Sequence, residues 1–170
     1  GLDLEAHDAV DDLAELLSDP VAQVRAEASV ALARLADPRA VEPLARLLDD
    51  NDYGPLAAEQ VFRRPAPAAT SALLRMLSRW FAAPAVKVFC AGALARLGEH
   101  AGREYLVRAV HSRRTVVRGL AVHVLGRLGQ PWSHDKLNDL AASGESGGWA
   151  QWREEIAEAL HTSQQRLKAD

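Results

Sequence analysis

Residues 21–48, VAQVRAEASVALARLADPRAVEPLARLL, form a unit that the rest of the chain copies. In its first half Val21, Val24, Ala28, Ala31, Leu32 and Leu35 recur at steps of three and four, so they share one helix face. Asp37-Pro38 then stops that helix, because proline disfavours a helical residue before it and suits the first turn of a new helix. In the second half Val41, Leu44, Leu47 and Leu48 make another apolar face. Neither stripe can be buried within one such pair, so each pair needs neighbours like itself.

The copies can be counted. Residues 9–17, AVDDLAELL, and 40–48, AVEPLARLL, lie 31 apart and agree at six of nine positions. Val24, Arg25, Ala31, Leu32, Arg34 and Leu35 return 62 residues later as Val86, Lys87, Ala93, Leu94, Arg96 and Leu97. After another 31 they become Val117, Arg118, Val124, Leu125, Arg127 and Leu128. This predicts an all-α fold, a right-handed α-solenoid (superhelix) of about five helix pairs with a 31-residue period, as one domain over residues 1–170. The pairs fall near 1–18 (a second helix alone), 20–49, 55–80, 85–111 and 115–142, with a final helix at 149–162 and a fraying polar tail after His161.

The 55–80 pair departs from the pattern. Pro65 and Pro67 end its first helix early, which predicts a bent or shortened unit. Its second helix should turn Leu73, Leu74 and Leu77 inward. Gly98 reads as a helix stop, Gly129-Gln130-Pro131 as the break within the next pair, and SGESGG at 143–148 as a flexible link. The missing first helix before Leu4, the unpaired last helix and Gly1 in place of Met fit a truncated array.

Composition narrows the setting. Only 5% of residues are aromatic and the apolar ones are mostly Ala, Leu and Val, which favours closely packed helices over a β-sandwich. The single Cys90 excludes an internal disulfide framework and fits a reducing compartment. The start has no signal-peptide pattern, and the chain has no apolar run of about 18 residues. A cytoplasmic protein without a membrane partner is expected.

The motif Asp19-Pro20, Val24-Arg25, Ala28, Ala31-Leu32, Leu35, then Asp37-Pro38, Ala40-Val41 and Leu44, resembles the HEAT-like repeat of the phycobilisome-lyase type. The resemblance covers nearly the whole chain, most closely at 19–49 and 85–142. It implies a helical array. It also implies an activity drawn from a mixed group, with pigment lyase subunits and scaffolds that hold another protein. Asp19 has no acidic counterpart before Val86 or Val117, so an Asp–Arg ladder between units would be incomplete.

Charge is segregated along the chain. Residues 1–60 carry 4 basic and 14 acidic side chains, residues 61–136 carry 13 and 3, and residues 137–170 carry 3 and 6. A basic middle of this size attracts an anionic partner. Second helices usually line the concave binding side of such arrays. Arg75 and Arg79 on one second helix, Arg103 and Arg108 on the next, and Arg113-Arg114 in the following turn are therefore the candidate partner-binding residues. Arg25, Lys87 and Arg118 recur within first helices and are read as seating one unit on the next. Arg34, Arg96 and Arg127 recur near first-helix C-termini, where a cation suits the helix dipole. Trp149 and Trp152 are expected to cap the open end of the core. Trp80 and Trp132 lie at or near turns. Packing is the expected role of both, with Trp80 kept among the partner-binding candidates as an aromatic anchor.

Catalysis finds little support. No two of His7, His100, His111, His123, His134 and His161 stand three or four apart, as a helical metal site requires. Cys90 takes the place of Ala28 and reads as a small core residue. The glycines of 144–148 lack the Lys-Ser/Thr ending of a phosphate loop. Glu154 and Glu155 are adjacent on a helix and diverge. The expectation is a non-enzymatic scaffold, with no cofactor or metal, that binds a protein of acidic surface. Nucleic acid is the second reading, by resemblance to DNA-alkylation-repair glycosylases, although no catalytic Asp can be matched. A subunit handling a tetrapyrrole-bearing protein is the third, and the oligomeric state is left open.

Overall fold

The computed structural model describes residues 2–143 and 149–169. Among these residues are ten α-helices and no strand: α1 Leu2–Glu15, α2 Ala22–Arg34, α3 Val41–Leu47, α4 Gly54–Arg63, α5 Thr70–Ser78, α6 Pro84–Arg96, α7 His100–Ala109, α8 Thr115–Leu128, α9 Pro131–Ser143 and α10 Arg153–Leu167. Short 3₁₀ turns at Pro38–Ala40, Pro67–Ala69 and Ala150–Trp152 lead into α3, α5 and α10. The expected link at 143–148 falls, from 144 on, outside the described residues.

Helices α2, α4, α6, α8 and α10 pack directly on one another as a row. The second helices α3, α5, α7 and α9 lie against that row without making a comparable row of their own. The chain is thus an all-α solenoid, and its core runs continuously along the first helices. Gly92 shows how closely they approach. A Cβ there would stand 2.6 Å from Val124 of α8 and 2.7 Å from Phe62 of α4.

Each helix stop has a local cause. After α2 and α6 the chain turns back through Ala36 (φ 62) and Gly98 (φ 82), both left-handed. The next amides, of Asp37 and Glu99, donate to the carbonyls of Leu32 and Leu94, both at 2.9 Å. Arg25 donates to the Asp19 and Pro20 carbonyls at 2.6 and 2.9 Å. It therefore ties down its own turn rather than seating a neighbour. Arg118 does seat one: its guanidinium lies 5.6 and 5.4 Å from the ring centres of Trp149 and Trp152. Those two rings are buried and meet edge-on at 6.4 Å, closing the end of the core.

Arg96 is the strongest tie between units. It donates to the Arg63 carbonyl at 3.1 Å and to the Arg127 carbonyl at 2.6 Å, joining the C-terminal ends of α4, α6 and α8. There it also covers the Phe62 ring at 4.6 Å. A cation at three converging helix C-termini is electrostatically favoured.

Four expectations are corrected. The pair α4–α5 is shortened as expected, but it does not close on itself, since α5 leans on α6. Within α5 the inward residues are Leu73, Met76 and, in part, Leu77; Leu74 is exposed, because steps of three and four from Leu73 bypass it. Leu35 is likewise exposed. The tail does not fray at His161: α10 continues to Leu167, with Ser163 buried 3.3 Å from the His134 ring nitrogen Nδ1 of α9.

Candidate partner-binding surface

The candidate arginines are set by the second helices and the turns after them. Arg75 stands exposed on α5. Arg79, just past the end of α5, forms an ion pair with Asp49 after α3, so part of its charge is already met. Arg108 stands exposed on α7, and Arg113 and Arg114 are exposed in the α7–α8 turn. Arg75, Arg108, Arg113 and Arg114 make no ion pair among the described residues. Four uncompensated guanidiniums give α5, α7 and the α7–α8 turn a positive field that salt screens only partly at close range.

Arg103 belongs to a different arrangement. Its guanidinium lies 5.0 Å from the centre of the Trp132 ring. Trp132 is not in a turn but in the first turn of α9, half-buried, with its indole N–H donating to Gln130 at 2.6 Å. Gln130 in turn donates to the Ala95 carbonyl at 3.2 Å, so the chain Arg103, Trp132, Gln130 links the third pair to the fourth. Arg103 is therefore part of the scaffold as well as of its basic surface.

Trp80 overturns the packing expectation. It is 87% exposed and the adjoining Phe81 is 93% exposed, in the turn between α5 and α6. Both sit outside because Arg79 leaves the helix in an extended conformation (φ −69, ψ 124), which carries the turn away from the core. Sequence reasoning gave Phe81 no role of its own. Its signal was the adjacency of two large aromatics where neither fits the repeat.

Tyr105 was missed altogether. It lies half-buried on α7, and burial raises its hydroxyl above the usual range. The positive charges of Arg108 and Arg114 oppose that shift. Cys90 lies beneath, fully buried, and burial pushes its thiol up to about 12. Burial thus disfavours its thiolate form at neutral pH. Among the described residues no group of three or more His, Cys, Asp or Glu is placed to hold a metal, and no helix is long and apolar enough to cross a membrane.

The family model for HEAT repeats matches residues 2–63, the stretch from α1 to α4. That match supports a HEAT-like repeat protein, as the packing of the helix pairs does. No curated protein matches the chain.

Proposed function

We propose that the chain is a non-enzymatic scaffold that recognises a protein partner with an acidic surface on its second-helix side. One observation carries this reading. Trp80 and Phe81 stand 87% and 93% exposed in the α5–α6 turn, and arginines that no acidic residue neutralises stand exposed on α5, on α7 and in the α7–α8 turn. Large exposed aromatics with arginine are the composition of interface hot spots, where the aromatic supplies desolvated contact and the cation supplies orientation. Arg75, Arg108, Arg113 and Arg114 would steer an acidic surface, and Trp80 with Phe81 would anchor it. HEAT-like arrays commonly hold other proteins, which agrees with this role. The un-ionised Cys90 thiol speaks against a cysteine-based reaction. The single buried thiol also suits a reducing, cytoplasmic setting. Within HEAT-like arrays, the motif from Asp19-Pro20 to Leu44 supports the phycobilisome-lyase type of repeat as a sequence class rather than as an activity.

The test is affinity capture from the native lysate with and without nuclease, at about 50 and 500 mM salt, followed by Trp80→Ala and Arg108→Glu. A protein retained after nuclease treatment, and weakened at least about tenfold by either substitution, is the expected result. Material released by nuclease and lost steeply as salt rises would replace this reading with nucleic-acid binding.

A further inference from the structure

Two residues of α4 and its C-terminal end break the repeat in the same direction. Gln60 stands where the other pairs have Ser29, Ala91 and Val122, and Arg64 where they have Ala33, Ala95 and Gly126. Four apart, at the end of one helix, they share a face. That face borders a groove of about 300 Å³ between the α2–α3 pair and the α4–α5 connection. Its walls are mostly apolar, with Ala33, Val41, Leu44, Val61 and Ala69 prominent. The groove exists because the connection is held open. Ala66 is extended (φ −117, ψ 135) before Pro67, and α5 leans on α6 rather than folding back on α4.

Gln60 is only 5% exposed, and its carboxamide makes no hydrogen bond among the described residues. Its polar atoms are not among the buried ones left without a partner, so the otherwise buried side chain keeps its amide open to the groove it lines. At the same repeat position the Ser29 hydroxyl is satisfied by the Arg25 carbonyl at 2.7 Å, and alanine and valine need no partner. Arg64 stands exposed at the groove and makes no ion pair among the described residues. The acid that also lines the groove, Asp37, is already held by Arg39 at 2.8 Å, which keeps its carboxyl below the usual range. It is not available to Arg64.

We propose that this groove captures the C-terminal end of a peptide whose last residue is apolar. The last side chain enters the apolar groove and the terminal carboxylate meets Arg64. The carboxamide of Gln60 pairs with the last residue, accepting from its N–H and donating to the carboxylate oxygen on the same side. A carboxamide offers an acceptor beside its donors, which matches the N–H and the carboxylate oxygen that one extended terminal residue presents on the same side. A fatty carboxylate would satisfy Arg64 and the apolar walls but offers no N–H to the Gln60 oxygen. The groove is at the small end of ligand pockets, sized for one or two side chains rather than a cofactor. It shares no residue with the basic surface, so it stands or falls separately from the scaffold reading.

Fluorescence anisotropy tests this with fluorescein-labelled hexapeptides, degenerate except for a C-terminal Leu or Val, made as free acids and as C-terminal amides. The free acids should bind, and amidation should weaken binding at least about tenfold, as loss of a charge-assisted contact does. Arg64→Gln should cost the free acid a similar factor and leave the amide unchanged. Gln60→Leu should weaken both forms. Because Gln60 is buried, Arg64→Gln on the exposed rim is the deciding variant, with circular dichroism showing that it is folded. Equal binding of acid and amide, no binding of the free acids up to about 1 mM, no effect of Arg64→Gln, or octanoate competing as well as the peptides would each overturn the proposal.

Discussion

Leu35 and Leu128 hold the same place in the repeat, at the ends of α2 and α8, yet Leu35 is 57% exposed and Leu128 is 7% exposed. The residues beside them diverge in the same sense. Arg34 is exposed and makes no ion pair among the described residues, whereas Arg96 joins three helix ends and Arg127 covers the Phe62 ring at 5.5 Å. The turn after each helix differs too, with Ala36 where the later units have Gly98 and Gly129. One written motif is thus used at two depths. The later units are covered on both sides, by Phe62 of α4 and by α10. The first unit faces the groove that Pro65 and Pro67 hold open. A repeat position decides which face a residue takes, and the neighbouring unit decides how deeply it is buried.

The largest effect expected from this difference lies in the leucines. Leu94→Ala removes a fully buried side chain and should cost about 2–5 kcal/mol in a urea melt. Leu35→Ala, at the exposed α2 terminus, should stay within about 0.5 kcal/mol. Equal losses at the two sites, or less than about 1 kcal/mol at Leu94, would break the comparison.

Next in size is the arginine at the helix end. Arg96→Met keeps the apolar stem but leaves the Arg63 and Arg127 carbonyls without their donor, at a cost of about 1–3 kcal/mol. Arg34→Met should change stability by no more than about 0.5 kcal/mol. If Arg34→Met proved as costly, the amino-terminal unit would hold an inter-unit tie that its exposed guanidinium does not show.

Much of this architecture could be read from the chain, because a 31-residue period and a three-four apolar step are local properties of sequence. The helices, the stop at Gly98, the shortening at Pro65 and the buried Cys90 all followed from such local signals. Leu35, Leu74 and the continuation of α10 did not, since each depends on what the next unit presents. Past His161, α10 holds Ser163 against His134, a contact that polarity alone could not suggest. Of the candidate surface, the exposed arginines were legible as charge. Trp80 was legible only as an ambiguity, because a tryptophan outside the repeat register can equally be packed or presented. Tyr105 was hidden because a single tyrosine on a helix carries no pattern. Gln60 and Arg64 are legible in the same 31-residue period, as departures from it rather than matches.

The turns give the smallest and most local version of the comparison. Gly98→Ala places a Cβ on a left-handed backbone at φ 82 with nothing within 4 Å, so strain acts without any clash. That strain is about 1–2 kcal/mol, offset in part by a more restricted unfolded chain, for a net loss of about 0.5–1 kcal/mol. Ala36 already bears the same strain at φ 62, so Ala36→Gly should stabilise the protein by a similar net amount. Paired urea melts should therefore move in opposite directions for the two exchanges. If Ala36→Gly instead destabilised, glycine's larger unfolded-state entropy would outweigh the strain it relieves.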